Sequence, residues 1–229
     1  MSIGEEIKHQ TLRDTKTFYL NAPDTLFFSG LIDFAVRHCG KRVLDLGCAT
    51  GNYIVELQRK GYDCVGADVN PAYVDIARKR GIEVYLVGDT LPFPDKSFDS
   101  VVMFEVTEHL PNPGAVLTEA RRVARKNVLL TVPNCEGYDH LKKQGVIYEH
   151  FLDADHKNYF TESSMRELLS RLFSKIEIRR GDPIFPLALV DLSKHTFLRV
   201  LFKLRLIQPK YYFRLYVVAH IDNGHEGSA

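Results

Sequence analysis

The sequence predicts an α/β fold, a doubly wound, Rossmann-like sheet with helices on both faces. Three observations support this prediction. Short apolar runs alternate with amphipathic segments along most of the chain, several of these runs end in Gly or Asp, and the last run follows a helical insertion. With 229 residues, 45% of them hydrophobic and 26% charged, the chain can bury one full core. We therefore expect a single domain over 1–229, with a seven-stranded sheet whose last strand is antiparallel.

The first part of the chain reads as a regular alternation of strands and helices. Asn70 and Pro71 supply an N-cap and a first-turn proline to one helix, and glycines 61 and 81 end two of them. We predict five strands at 41–47, 62–69, 82–89, 98–105 and 126–134, and three helices at 51–61, 70–81 and 112–125.

After residue 134 this alternation breaks down. Residues 135–160 hold three histidines and three tyrosines without a clear period, which favours a long functional loop. Thr161 is placed to N-cap a helix, and Ser164 occupies the position where a capping box usually has Glu or Gln. We predict this helix at 161–173, strands at 173–181 and 210–221, and an apolar insertion of helical period at 185–206.

Charge and cysteine content exclude several classes of protein. Thirty basic and twenty-nine acidic residues give a net charge of +1, so no strong overall field attracts nucleic acid or anionic lipid. The cysteines are far apart and form no C-x-x-C pair, which argues against a disulfide scaffold or a cysteine zinc site. A polar N-terminus predicts no signal peptide, and no run reaches the ~18 apolar residues of a transmembrane helix. We expect a cytoplasmic protein, monomeric or homodimeric.

The most informative segment is VLDLGCATGNY, residues 43–53. It places an acidic residue, Asp45, and two glycines between a strand and a helix, where a ligand can approach the backbone closely. Asp68 and Asp89 end the next two predicted strands, so three carboxylates should meet at the carboxyl edge of the sheet. Ala49 interrupts a G-x-G-x-x-G pattern, and no G-x-x-x-x-G-K-[ST] loop is present. These two absences argue against NAD-type dehydrogenases and nucleoside triphosphatases.

Four segments in order, LDLGCATG, GADVN, GDTLPFPDKSFD and VVMFEVTEHL, resemble the motifs of class I S-adenosylmethionine-dependent methyltransferases over residues 41–134. Ala49 departs from the glycine that is usual in that family. The resemblance implies N-terminal cap helices at 1–40, a cofactor-binding core at 41–134 and substrate-side insertions at 135–160 and 183–209. It also implies cofactor contacts from Tyr19, Asp45, Gly47, Ala49, Gly51, Asp68, Val69, Asp89, Thr90, Phe104 and Glu105.

The resemblance also implies that each strand end contacts a different part of the cofactor. Asp45 lies near the methionine ammonium, Asp68 binds the ribose hydroxyls and Val69 packs on the adenine. Asp89 accepts from the adenine amino group, with Thr90 beside it. Phe104 and Glu105 lie near the sulfonium, and Tyr19 closes over the cofactor.

Methyl transfer to an alcohol needs help with the departing proton, and the segment after the fourth strand offers it. Catalytic candidates are Glu105, Glu108 and His109, and His109 is the best base because histidine titrates near neutral pH. The E-x-x-E-H spacing also suits a divalent ion such as Mg²⁺ or Mn²⁺, with His156 as a fourth ligand. It is equally consistent with a packed, hydrogen-bonded turn. This spacing resembles both ubiquinone-pathway O-methyltransferases and metal-dependent RNA 2′-O-methyltransferases.

The function expected from the sequence is O-methylation of a small-molecule hydroxyl by S-adenosylmethionine. Alternatives are a small-molecule N-methyltransferase, a metal-dependent RNA 2′-O-methyltransferase and a non-catalytic, cofactor-binding regulatory partner. A base such as His109 argues against the last, and the near-neutral charge argues against RNA. The basic and aromatic KYYFR stretch, 210–214, could stack on bases, but alternation along a strand explains it equally well. His140 and His150 are further candidates for contact with the acceptor.

Overall fold

The computed structural model describes residues 28–143, 153, 155–184 and 192–222. They form a seven-stranded sheet in the order β3-β2-β1-β4-β5-β7-β6. Its strands are β1 (Arg42–Leu46), β2 (Asp63–Asp68), β3 (Val84–Leu86), β4 (Phe98–Phe104), β5 (Ala124–Pro133), β6 (Lys175–Ile184) and β7 (Tyr211–His220). The helices are α1 (Gly30–His38), α2 (Asn52–Arg59), α3 (Pro71–Lys79), α4 (Pro113–Val123), α5 (Tyr138–Lys143), α6 (Glu162–Ser170) and α7 (Leu192–Lys203).

The predicted α/β fold is confirmed. Strands β1 to β5 are parallel, whereas β7 runs antiparallel to both β5 and β6. The order reverses beside β1, so the carboxyl ends of β1, β2 and β4 meet at one edge. In open α/β sheets this is the position where ligands bind.

Two caps show why helices begin where the sequence predicts. The side chain of Asn70 accepts a hydrogen bond from the backbone N–H of Ala72, directly before α3. Thr161 and Ser164 form a reciprocal capping box at the start of α6, with serine replacing the usual Glu or Gln. Each cap satisfies backbone donors that the first turn of a helix leaves unpaired.

Three local predictions need correction. Strand β3 ends at Leu86, so Asp89 lies in the following loop and does not end the strand. Residues 135–160 contain the short helix α5, which packs through the buried Leu141. Strand β6 continues to Ile184, beyond the predicted end at 181, because it stays paired with β7 as far as Tyr211.

Two hydrophobic layers cover the sheet, one on each face. One contains α1, α2 and α3, and the other contains α4 and α6. Among the described residues, no helix is long and apolar enough to cross a membrane. The first 27 residues, and with them Tyr19, lie outside the described part, as does His150.

Candidate active site

The loop between β1 and α2 has a backbone that most residues avoid. Gly47, Ala49 and Gly51 all have positive φ, at 82°, 46° and 83°. A Cβ on Gly51 would lie 2.4 Å from Cδ1 of Ile82, so only glycine fits there. Ala49 adopts the left-handed region despite its methyl group, so its φ is positive like those of Gly47 and Gly51.

Asp68 holds this loop against the end of β2. Its Oδ2 accepts from the backbone N–H of Ala49, and its Oδ1 accepts from that of Asn70, both at 2.8 Å. The next residue, Val69, is 71% exposed beside it. A buried carboxylate followed by an exposed apolar side chain can bind a ribose hydroxyl pair and pack against a flat base.

Asp45 lies deeper, at the end of β1. Its carboxylate is buried, and its Oδ2 has no hydrogen-bond partner among the described residues. Burial, reinforced by the charge of Asp68, raises the pKa of Asp45 to about 7. Because an unpaired buried carboxylate is costly, this oxygen is suited to receive a cationic group from a ligand. The observation fits the predicted role toward a methionine ammonium.

The remaining predicted contacts are arranged around this edge. Phe104 is buried at the end of β4, where its ring contacts that of Tyr53. Asp89 and Thr90 are exposed in the loop after β3. The structure therefore brings Asp45, Asp68 and the glycine loop together, and leaves Asp89 and Thr90 open to solvent at the rim.

Beyond Phe104 the chain does not form the helical turn that the E-x-x-E-H spacing suggests. Glu105 has a φ of 56°, and a 3₁₀ turn follows over Thr107–His109. The Glu105 carboxylate is not among the side chains that come within metal-ligand distance of one another. It bonds Arg214 instead, with 2.9 Å between Oε1 and Nε. Glu105 is consequently not part of the cluster in which the sequence places it.

Glu108, His109 and His156 do come together. Each offers one ligand atom, and these atoms all lie within 4.8 Å of one another. The rings of His109 and His156 are 4.6 Å apart between centroids and meet edge to face. His156 also lies 3.7 Å from Asp153, measured from Nε2 to Oδ2. Residues nearly fifty positions apart in the chain therefore share one small site.

Glu108 is the most unusual member of this cluster. It is 1% exposed, and neither carboxylate oxygen has a hydrogen-bond partner among the described residues. Burial, and after it the charge of Glu105, raises the pKa of Glu108 well above its usual range. Burial of this kind disfavours the charged form of a carboxyl group, and a bound cation would favour it.

Asn158 fixes the turn that carries the cluster. Its Nδ2 donates to the carbonyl oxygen of Leu110 at 2.7 Å and to that of Thr107 at 3.3 Å. The backbone N–H groups of Lys157 and Asn158 both donate to the carbonyl oxygen of Glu108. Sequence reasoning missed this residue, because nothing local marks an asparagine whose partners lie about fifty residues earlier.

Sequence reasoning noted Arg214 only as part of the KYYFR stretch and did not predict its ion pairs. It is 1% exposed in β7 and is bonded to both Glu105 and Asp182. Tyr216 donates to Asp182 at 3.0 Å, and the ring of Phe28 lies 4.0 Å from the guanidinium carbon. The only available signal was an arginine in an otherwise apolar strand, which alternation alone explains.

A cavity of about 230 Å³ opens at the same edge, beside the carboxyl end of β5. Tyr211 lines it, and the ring of His140 stacks on that tyrosine at 5.9 Å. This arrangement places His140 near a space large enough for part of a small organic molecule.

Comparisons with known proteins agree with this geometry. Residues 14–172 match the sequence family described as a methyltransferase domain. The ubiquinone biosynthesis O-methyltransferase of Hahella chejuensis is 34% identical over 94 residues, which is 38% of this chain and 40% of that protein. The magnesium-protoporphyrin O-methyltransferase of Rhodobacter capsulatus is 37% identical over 101 residues, 41% of this chain and 45% of that protein. The chain thus spans less than half the length of either relative.

The fold has close structural counterparts. A crystal structure of a SAM-dependent methyltransferase from Archaeoglobus fulgidus superposes with a TM-score of 0.60 at 18% identity, covering 83% of this chain and 92% of that one. With the matched domain, the strand order and the loop around Asp45 and Asp68, this agreement identifies the family. The chain belongs to the class I S-adenosylmethionine-dependent methyltransferases.

Proposed function

We propose that the protein transfers a methyl group from S-adenosylmethionine to a hydroxyl oxygen of a small-molecule acceptor. The observation that carries this proposal is the cluster of buried Glu108 with the half-buried His109 and His156 at the carboxyl end of β4. The cluster lies beside the glycine loop. Val106, two residues before Glu108, packs so closely on this loop that its Cγ2 would lie 2.5 Å from a Cβ placed on Gly47. A base next to the methyl donor is what an alcohol acceptor needs and what a purely regulatory binding protein does not.

The chain's own residues divide the work. Asp45, Asp68 and the glycine loop bind and orient S-adenosylmethionine, which supplies the methyl group as an electrophilic sulfonium. His109 is placed to accept the proton of the acceptor hydroxyl as the oxygen–methyl bond forms and the sulfur–methyl bond breaks. The products are a methyl ether and S-adenosylhomocysteine, and the proton leaves from His109 to water.

A divalent ion in the same cluster is the second part of the proposal. One carboxylate and two imidazoles are ligands that Mn²⁺, Mg²⁺ or Zn²⁺ accepts in proteins, and the unpaired oxygens of Glu108 fit a cation. Glu105 is left out of this ligand set because Arg214 binds it. When bound, such an ion would lower the pKa of the acceptor hydroxyl.

The relatives support an oxygen acceptor, since both are named as O-methyltransferases. An N-methyltransferase would have less use for a base such as His109, because an amine gives up its proton more easily after transfer. Four free cysteines among the described residues are consistent with a reducing, cytoplasmic compartment.

The experiment is a methyl-transfer assay with isotopically labelled S-adenosylmethionine, a panel of phenols and catechols, and a metabolite extract. Mass spectrometry should find the label in a methyl ether. His109→Ala should lower kcat by about 10²- to 10⁴-fold. His220→Ala is the matched control, since that ring bonds Glu177 at the opposite edge of the sheet. Label only in amines, or an unchanged His109→Ala variant, would overturn the proposal.

The metal part has its own readout. Titration calorimetry with Mn²⁺ should show binding to the wild type and none to Glu108→Gln or His156→Ala, with S-adenosylhomocysteine binding intact in all three. Chelation should then reduce turnover. If chelation and His156→Ala leave turnover unchanged while His109→Ala does not, His109 acts without a metal.

A further inference from the structure

The helix inserted between β6 and β7 leaves apolar side chains in solvent. Phe197 is 62% exposed, Val200 48% and Leu204 61%. They stand three and four residues apart, and Leu204 continues the turn by donating its N–H to the carbonyl oxygen of Val200. The three side chains therefore form one stripe on a single helix face. Leu206, 68% exposed, follows directly.

The segment that carries this stripe is rich in basic residues. Residues 192–210 include Lys194, Arg199, Lys203, Arg205 and Lys210 and contain no Asp or Glu. The whole chain carries a net charge of only +1, so the excess of positive charge is local. Arg199 and Lys203 are exposed one helical turn apart, beside the apolar stripe. An exposed apolar stripe on a segment that carries basic and no acidic residues suits the interface of an anionic membrane.

The position of the helix relates this surface to the active site. Ile184 pairs with Tyr211, and Arg214 pairs with Pro133 at the carboxyl end of β5. The insertion therefore leaves and re-enters the sheet at the edge that carries the cofactor loop and the base. A surface there would bring the acceptor side of the protein next to whatever it binds.

We propose that α7 and the turn after it, residues 192–206, dock the protein on an anionic lipid bilayer. The apolar stripe would enter the headgroup boundary, and Arg199, Lys203 and Arg205 would contact lipid phosphates. Docking of this kind is peripheral and needs no membrane-spanning helix. It does not depend on the proposed methyl transfer, because binding is measured without cofactor or acceptor.

The test is co-sedimentation of the whole chain with vesicles of phosphatidylcholine alone, or of phosphatidylcholine and phosphatidylglycerol in equal parts. We expect binding to the anionic vesicles only, weakened by added NaCl. Arg199→Gln with Lys203→Gln should weaken it about 30-fold, since each cation near such a surface contributes on the order of 1 kcal/mol. Phe197→Ser with Leu204→Ser should weaken it at least about tenfold.

Matched controls separate this surface from general effects. Lys60→Gln with Lys79→Gln removes the same charge from exposed positions after α2 and at the end of α3, and should leave vesicle binding unchanged. Val36→Ser removes an exposed apolar side chain from α1 and should also change nothing. All variants should keep the wild-type unfolding midpoint, because the substituted side chains are exposed. Equal binding to neutral vesicles, or no binding, would overturn the proposal. So would lipid-free dimerisation that Phe197→Ser with Leu204→Ser abolishes, since it assigns the stripe to a second copy.

Discussion

Nε of Arg214 lies 2.9 Å from Oε1 of Glu105, although 109 residues separate the two in the chain. The pair joins the antiparallel half of the sheet to the end of β4. Both oxygens of the Glu105 carboxylate bond Arg214, which is why Glu105 is left out of the proposed ligand set. Arg214 thereby ties β7 to the residue that leads into the candidate site.

The first prediction follows from this pair. Arg214→Met should lower the free energy of unfolding by about 3–5 kcal/mol, because it leaves the Glu105 and Asp182 carboxylates without their buried partner. Denaturant unfolding measures the change. Arg171→Met is the control, since Arg171 pairs with Glu167 in solvent and should cost less than about 1 kcal/mol. Similar losses in the two variants would contradict the structural role.

The second prediction concerns the ribose. Asp68→Asn keeps the size of the side chain and removes its charge, so S-adenosylmethionine and S-adenosylhomocysteine should both bind about 10- to 100-fold more weakly. Calorimetry with each ligand measures this. Asp63→Asn, exposed at the start of the same strand, should bind like the wild type. Unchanged affinity in Asp68→Asn would remove the assignment of this residue to the ribose.

The third prediction is a pH dependence of stability. The pKa of Asp45 is raised to about 7 by burial and by Asp68, whereas an unfolded aspartate has a pKa of about 4. Its stabilising contribution is therefore complete below pH ~4 and is lost as the pH rises through 7, roughly 4 kcal/mol in all. Glu108 has a pKa shifted in the same direction, so the wild type alone does not isolate Asp45.

Asp45→Asn separates the two contributions. As the pH rises from 4 to 8, the wild type should lose unfolding free energy relative to the Asp45→Asn variant. S-adenosylhomocysteine should bind the wild type more tightly as the pH rises toward 7, because its ammonium favours the ionised carboxylate. A difference that stays constant with pH would show that Asp45 is ionised throughout.

The fourth prediction tests the hydrogen bonds by which Asn158 holds the 3₁₀ turn that carries His109. Asn158→Asp keeps the shape of the side chain and loses the Nδ2 donors to the carbonyl oxygens of Thr107 and Leu110. It should lower kcat and cost about 1–3 kcal/mol of stability, while the Kd of S-adenosylhomocysteine stays the same. Asn112→Asp, at the N-cap of α4, is the control and should leave kcat unchanged, because a carboxylate caps a helix equally well. A change in cofactor Kd would show that Asn158 acts on the cofactor loop instead.

The parts of the fold that the sequence predicts are those built from local patterns. Strands β1, β2 and β4 are short apolar runs that end beside Gly or Asp, and α3 has both its cap and its proline. The sequence predicts strand β3 longer than it is, because Val87 continues its apolar run beyond Leu86 into the loop. The six-residue α5 buries one side chain, Leu141, which is too little to give a helical period.

The same distinction between local and distant signals applies to the residues of the candidate site. Asp45, Asp68 and the glycine loop could be located because they lie next to strand ends. The sequence names Glu108 and His109 as candidates but not their geometry, since the chain there forms a 3₁₀ turn after a left-handed Glu105 and not the α-helical turn that the spacing suggests. Asn158 and Arg214 act through partners far away in sequence, and a single sequence carries no signal for such pairs.

The hairpin formed by β6 and β7 has a consequence for which part of the chain can change without disturbing the sheet. Ile184 and Tyr211 pair with each other where β6 ends and β7 begins. The segment between them can therefore vary in length and composition without altering the register of any strand. The residues around Asp45 and Asp68 would not be disturbed by such an exchange. A different surface could therefore be attached at this point while the part of the protein around the glycine loop stays as it was.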